Sequence, residues 1–388
     1  MKDIYFDNSA TTPLCEEAKA RFLSTYEGCW GNPSSLHGFG NAAARVLNAA
    51  RESVARALSV RDGQVVFTGS GSEANNLAIL GRAYAKERYR RGARIITTRG
   101  EHASVAAPLA RLGSEGYEVV EIDTVGGVVN MEQFEAALTK NTILVTAMAV
   151  NNETGACYDI GAMARLTHRL CPEAIFHTDA TQAFMKIPIS PKDGPDLITV
   201  SAHKIEGPKG CGALWISPNV IKSKGLSPRI LGGGQENGLR SGTENVAGCA
   251  AFGGACDYAR VHFKEHTEKM EALRRYLIDR LQQDAAFSEV KINLPPRHAP
   301  HIVNLSMPSI KSETMLHFLS AEGIYVSSGS ACSSHGRHGS PPLLAFGLTE
   351  READCAIRVS FSHRNTEEEV DLFLLALAKG LSTLARIR

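Results

Sequence analysis

Along the first two-thirds of this chain, short apolar runs are each followed by a cluster of Gly, Ser, Asn or Thr and then by a segment of helical periodicity. Gln64–Thr68, Arg94–Thr98, Glu118–Ile122, Ile143–Val150, Ala174–Thr178, Asp196–Ser201 and Gly212–Ile216 read as strands. Helices are predicted from Asn41 to Leu58, where Val46, Ala50, Val54 and Ala57 share one face, and near 103–114, 131–139 and 159–170. Another opens at Gly69-Ser70-Gly71-Ser72-Glu73 and continues through Leu77 and Leu80; Ser70 and Glu73 have capping-box spacing. Such alternation implies an α/β fold with a mostly parallel sheet covered on both faces. Ligands in such sheets bind at the carboxyl ends of the strands.

The rhythm then breaks. A single long helical stretch is predicted from Val246 to Gln283, followed by strands at Val290–Leu294, His301–Ser306, Ile324–Ser327 and Ile357–Phe361 and helices near 312–322 and 366–386. This reads as a second, smaller α+β domain starting around residue 260, with the opening dozen residues returning to join it. No internal repeat or low-complexity linker separates the two parts, so close packing is expected.

Composition narrows the function classes. At 388 residues, 43% hydrophobic and 21% charged, the chain has the balance of an ordinary soluble protein, long enough for two domains. A net charge of +1 argues against a polyanion-binding surface. The basic run Lys86 to Arg94 reads as a solvated helix end, so no direct nucleic-acid binding is expected. Met1–Asp7 lacks the apolar region of a signal peptide, and no apolar run is long enough to span a bilayer. Nine cysteines without Cys-x-x-Cys pairs look like reduced thiols, and a cytoplasmic location is expected.

Candidate chemistry centres on Ser201-Ala202-His203-Lys204-Ile205-Glu206-Gly207-Pro208-Lys209-Gly210. The amine of Lys204 sits on a short stiff loop between two strands, as a surface lysine or as one that forms a Schiff base with a carbonyl compound. Gly69–Ala74 reads as a capped helix start, an anion cradle at a helix N-terminus, or a Gly-x-Gly-x-x-Ala dinucleotide fingerprint. No Walker pattern is present. Glu101-His102 and Asn151-Asn152-Glu153-Thr154-Gly155 are polar loops after strands, and Asp179 ends a third strand, where it caps a helix or keeps a pyridinium nitrogen protonated. In this order the pieces make the parts list of a pyridoxal-phosphate enzyme.

The chain resembles the cysteine desulfurases, in the class V aminotransferase branch of fold-type I pyridoxal-phosphate enzymes. The matching stretches are Asp7-Asn8-Ser9-Ala10-Thr11-Thr12-Pro13, Gly31-Asn32-Pro33-Ser34-Ser35, Glu101-His102, Asn151–Gly155, Asp179-Ala180-Thr181-Gln182, Ser201–Lys204, Arg240-Ser241-Gly242-Thr243-Glu244-Asn245 and Ser327-Ser328-Gly329-Ser330-Ala331-Cys332. The resemblance implies a seven-stranded sheet in a three-layer αβα large domain, residues 13–258. It implies a small domain of residues 1–12 plus 259–388, carrying a mobile cysteine loop at about 327–340.

By the same resemblance Lys204 carries pyridoxal 5'-phosphate covalently, and His102 stacks on its ring and handles protons. Asn152 and Gln182 contact the ring oxygen and Asp179 the ring nitrogen. Gly71, Ser72, Ser201 and His203 hold the phosphate, with Thr243 reaching over from the second subunit of a homodimer. Arg358 and Asn32 receive the carboxylate of the substrate, L-cysteine, and Cys332 takes its sulfur as a persulfide. A sulfur-acceptor protein is the implied partner, serving iron-sulfur cluster assembly or tRNA thiolation.

Some positions depart from the family pattern. Gly69-Ser70-Gly71 stands where relatives more often have Ser-Gly-Gly, Asn237 where they are often basic, and Ser334-His335-Gly336-Arg337-His338-Gly339 replaces an acidic, proline-containing stretch. His335 and Arg337 are candidates for lowering the Cys332 pKa. A metal reading of Cys332, His335 and His338 is set aside because the adjacent Gly and Ser offer no rigid support. Arg388 follows closely on the last helix, without the tail that housekeeping desulfurases present to a scaffold, so a tRNA-thiolation recipient is expected. The rival readings are a selenocysteine lyase or aminotransferase of the same fold, an NAD(P)-binding oxidoreductase built on Gly69–Ala74, and a non-catalytic sulfur carrier.

Overall fold

The computed structural model of the chain describes residues 3–85, 93–189, 194–329 and 340–386. It opens with β1 (Ile4–Tyr5), α1 (Glu16–Gly28) and α2 (Gly38–Ala57). Strands and helices then alternate through β2 (Gln64–Thr68), α3 (Gly71–Ala83), β3 (Arg94–Thr98), α4 (Ala103–Ser114), β4 (Glu118–Ile122), α5 (Met131–Ala137), β5 (Thr142–Met148), α6 (Ile160–Leu170) and β6 (Ile175–Asp179). The hairpin β7 (Leu197–Ser201) and β8 (Gly212–Ile216) precedes α7 (Pro218–Lys222), α8 (Val246–Val261) and α9 (Phe263–Gln283). The remainder holds β9 (Lys291–Ile292), β10 (Ile302–Ser306), α10 (Ser312–Ala321), β11 (Ile324–Tyr325), β12 (Ser327–Ser328), α11 (Pro341–Ala345), α12 (Glu350–Asp354), β13 (Ala356–Ser360) and α13 (Glu367–Thr383).

Seven strands form the expected mostly parallel sheet, in the order β2-β8-β7-β6-β5-β3-β4. Only β8 runs against its neighbours. Side chains on successive residues point to opposite faces, and both faces are covered. In β2, Val65 and Phe67 join Leu47, Val54 and Phe252 from α2 and α8, while Val66 joins Leu77, Leu80 and Leu109 from α3 and α4. Strands buried on both sides read as continuous apolar runs, which is why their limits are legible.

The second core lies around the antiparallel sheet β12-β13-β10-β9. Leu273 and Leu277 of α9, Leu305 of β10, Val359 of β13 and Phe373 of α13 pack there. β1 pairs in parallel with β11, and Phe6 enters this core edge-on to Phe361 and Phe373 at 5.3 and 6.0 Å.

Three expectations are corrected. The long helix from Val246 to Gln283 is two helices meeting at His262: α8 is buried through most of its length, whereas α9 buries one stripe, Met270, Leu273, Leu277 and Leu281. The strand Ile324–Ser327 divides between two sheets, with β11 on β1 and β12 on β13. Helix α1 has no counterpart among the sequence-based elements; it buries only Ala18 and Thr25, and its cap is a thiol, Cys15, accepting from Ala18 N–H. Among the described residues no helix is long and apolar enough to cross a membrane.

Candidate active site

Strand register brings the loops to one edge. Met148 lies opposite Asp179, Asp179 opposite Thr199, and Ser201 opposite Gly212, which in turn faces Thr68. From Thr68 the chain turns into α3, where Ser70 accepts from Glu73 N–H at 3.1 Å and Glu73 Oε2 accepts from Gly69 N–H at 2.9 Å. Glu73 Oε1 also accepts from Arg240 Nε at 2.9 Å, tying this turn to the loop that carries Thr243.

A pocket of about 350 Å³ opens in front of the α3 N-terminus, lined by Thr11, Ser70, Ser201, His203, Lys209 and Cys211 among others. Gly71 packs close at the start of α3, where a Cβ would lie 3.2 Å from Thr181 Oγ1 and 3.3 Å from Ser201 Cβ. Free N–H groups and the helix dipole make this end attractive to an anion. Burial, reinforced by Lys204 and Lys209, pushes the His203 pKa down to about 4, so the ring is a neutral hydrogen-bonding partner, with Nδ1 3.2 Å from Thr11 Oγ1. Ser72, in the first turn of α3, is exposed.

Lys204 ends a single 3-10 turn, Ala202–Lys204, that continues directly from β7. Its Nζ donates to the carbonyls of Ser9 at 2.5 Å and Ala10 at 2.8 Å. Gln182 Nε2 donates to the same Ser9 carbonyl at 2.8 Å, and Gln182 Oε1 faces His301 Nε2 at 3.3 Å. The Ser9–Thr12 segment is clipped to the lysine loop by Thr12 N–H donating to His203 O at 2.9 Å. Just past the lysine, Glu206 adopts φ 62°, held by Arg364 at 2.6 Å and by the Thr12 hydroxyl accepting its N–H at 2.8 Å.

Asp179 accepts from Thr181 N–H at 2.9 Å and from Asn75 Nδ2 at 2.7 Å. Beneath it His177 is buried between Thr146 and Thr199 hydroxyls at 2.8 and 3.0 Å, and burial lowers its pKa to about 4. Glu101 is also buried; it accepts from Met148 N–H at 2.8 Å and from the Thr98 hydroxyl, and burial raises its pKa to about 8. His102 caps α4 with Nδ1 accepting from Ser104 N–H at 3.1 Å.

The β13 strand delivers Arg358, whose Nη1 donates to Asn152 O at 2.9 Å and Glu153 Oε1 at 3.2 Å and whose Nη2 donates to Asp7 Oδ1 at 2.9 Å. Burial raises the Glu153 pKa while Arg358 opposes the rise. Lys204, Asp179, Gln182, Asn152 and Arg358 are thus tied by a few hydrogen bonds to Ser9, Asp7 and Asn75. Asn32 and Thr243 lie in exposed loops, and Asn32 Oδ1 accepts from Ser34 N–H at 2.9 Å. Cys332, His335, Arg337 and His338 fall outside the described residues. Asn75 and Ser104 were not singled out by sequence reasoning; a buried Asn within the apolar face of α3 was the available signal.

The residues fit pyridoxal phosphate. Asn152 Oδ1 and Ser9 Oγ are buried without a hydrogen-bond partner among the described residues, a pocket opens before the α3 N-terminus, and the buried carboxylate that ends β6 and the lysine turn that follows β7 lie on neighbouring strand ends. The class-V aminotransferase profile matches residues 4–373. A cysteine desulfurase IscS of Clostridium botulinum is 40% identical over 385 residues, covering 97% of this chain and 94% of that protein. A putative cysteine desulfurase IscS 1 of Bacillus subtilis is 37% identical over 374 residues, 95% and 96% of the two chains. A solved NifS-like protein superposes with a TM-score of 0.90 at 35% identity over 99% of this chain and 100% of its own. SspA, solved in complex with cysteine, gives 0.80 at 30% identity over 94% and 100%. The chain belongs to the class-V aminotransferase family of pyridoxal-phosphate enzymes, among its cysteine desulfurases.

Proposed function

We propose that this chain converts L-cysteine to L-alanine and keeps the sulfur as a persulfide on Cys332. The supporting observation is the meeting of Lys204, Asp179 and an anion pocket at one edge of the sheet. When bound, pyridoxal phosphate supplies an electron sink for the amino acid's α-carbon. Lys204 would hold it through Nζ, Asp179 would face the ring nitrogen, Asn152 and Gln182 the ring oxygen, and His102 the ring face. Gly71, Ser72, Ser201 and His203 would hold the phosphate, joined by Thr243 of a second subunit.

Arg358 orients the substrate carboxylate with Asn32; Asp7 and Glu153 keep its guanidinium aimed, as bidentate recognition requires. Lys204 Nζ takes the α-proton. The Cys332 thiolate forms the S–S bond as the substrate C–S bond breaks, so cysteine plus a thiol gives alanine plus a persulfide without an outside oxidant. The chain divides into a large part, 13–258, and a small part, 1–12 with 259–388, whose 327–340 loop carries Cys332. The protein is a cytoplasmic homodimer that passes sulfur to a cluster scaffold or a tRNA-thiolation enzyme.

Purified protein mixed with L-cysteine will release alanine, and sulfide in the presence of a thiol. Lys204→Ala will lose the visible cofactor band, and Cys332→Ala will keep the band and lose sulfide release. Undiminished desulfuration by Cys332→Ala overturns the assignment, and a colourless protein that binds NAD(P) overturns the cofactor.

A further inference from the structure

The hydrogen bonds around Asn75 run in one direction. Its Nδ2 donates to Asp179 Oδ2 at 2.7 Å and to Ser104 Oγ at 2.9 Å. Ser104 Oγ in turn lies 2.7 Å from His102 Nδ1, which also accepts from the Ser104 backbone N–H. A carboxylate offers only lone pairs, so the Asn75 amide must turn its NH₂ toward Asp179. The second N–H of that group occupies one lone pair of Ser104 Oγ, and because the Ser104 backbone N–H already donates to Nδ1, the Ser104 O–H is the second donor that nitrogen faces. An imidazole nitrogen facing two donors carries no hydrogen, so the neutral His102 ring carries its hydrogen on Nε2. Asn75 is 1% exposed, which keeps bulk water from supplying alternative partners at the centre of this chain.

We propose that Asn75 and Ser104 are positioning residues that transmit the orientation of Asp179 to His102 and hold its imidazole in the Nε2–H tautomer. The catalytic consequence rests on the desulfurase reading: His102 then works as a ring-stacking hydrogen-bond donor at Nε2, and removal of the α-proton falls to Lys204 Nζ. The tautomer itself belongs to the protein alone.

The test is ¹⁵N–¹H long-range NMR on the full-length protein labelled at histidine, with the His102 signals assigned by their loss in His102→Gln. The parent will show the Nε2–H pattern with and without cofactor. Ser104→Ala, at a half-buried position, will shift the tautomer ratio toward Nδ1–H by about fivefold, the weight of one neutral hydrogen bond. Ser104→Thr will restore it. Asn75→Ala, which removes no atom touching the ring, will shift it in the same direction. In turnover, Ser104→Ala will lower kcat by up to about tenfold with KM for cysteine nearly unchanged. A parent showing Nδ1–H, or a tautomer ratio unmoved by Ser104→Ala, overturns the relay. A parent with the Nε2–H pattern that makes no sulfide leaves the relay standing and overturns the desulfurase reading instead.

Discussion

Gly212→Ala is the sharpest probe of how the sheet makes the anion pocket. Gly212 lies in β8 directly behind the turn into α3, and a methyl group there would sit 2.4 Å from the Ser70 carbonyl carbon and 2.7 Å from both Gly71 N and Ser70 O. Ordinary contacts between carbon atoms are about 3.5–4.0 Å, so something must move by roughly 1 Å. The strand resists, because β8 is bonded on both sides with Gly212 opposite Thr68 and Ser201. The α3 N-terminus therefore gives way, carrying Ser70 and Gly71 out of line. Overpacking of this kind costs about 1–3 kcal/mol of stability. Losing one hydrogen bond to a charged phosphate is worth about 1.5–3 kcal/mol, or roughly 10- to 150-fold in cofactor affinity. Apoprotein titrated with pyridoxal phosphate and followed by absorbance reads the affinity, and thermal unfolding of the same apoprotein reads the strain. Gly38→Ala is the control, since a methyl there meets nothing within 4 Å. An affinity within about threefold of the parent, with an unchanged melting temperature, would refute the argument that β8 sets the position of the cradle.

Other consequences can be measured in the same preparations. Glu236 is 2% exposed at its side chain and accepts from Arg51 at 2.7 and 2.9 Å and from Phe67 N–H at 3.0 Å, so Glu236→Ala strands a partly buried guanidinium and should lower stability in urea by about 3 kcal/mol. A loss below about 1 kcal/mol contradicts that. Glu101, with its pKa raised from 4.5 to about 8, keeps a proton when folded that the unfolded chain releases. Its contribution is therefore full below the unfolded value and drains away as pH rises toward 8, and Glu101→Gln should flatten the fall in melting temperature between those limits. Parallel curves for the two proteins would exclude a protonated Glu101. Arg358→Lys cannot span Asp7 and Glu153 together, so KM for cysteine should rise by about 10- to 100-fold; an unchanged KM removes Arg358 from carboxylate recognition.

Much of this architecture was legible because strands covered on both faces announce themselves. Gln64–Thr68, Arg94–Thr98 and Gly212–Ile216 have the bounds the apolar runs predict. The order of polar loops after them was equally readable, and Lys204 and Asp179 share the predicted edge. Features that depend on tertiary context were not. The α8–α9 break at His262 follows a change of surroundings that periodicity does not register, and Cys15 is an unusual helix cap. Asn75 and Ser104 escaped notice because they lie inside helices, where polar residues look like surface, and only the packing of α3 against α4 turns them toward each other.

The short opening strand has a consequence for biosynthesis. Ile4 finds its partner only at Ile324, while Ser9 and Ala10, a few residues on, supply the carbonyls that receive Lys204 Nζ. At ribosomal speeds of about 5–20 residues per second, the leading segment emerges tens of seconds before the residues it pairs with. A nascent chain can therefore build most of the large sheet early, but the Lys204 amine gains its finished seat only near the close of translation. Bulky N-terminal fusions would burden that late docking more than any step before it.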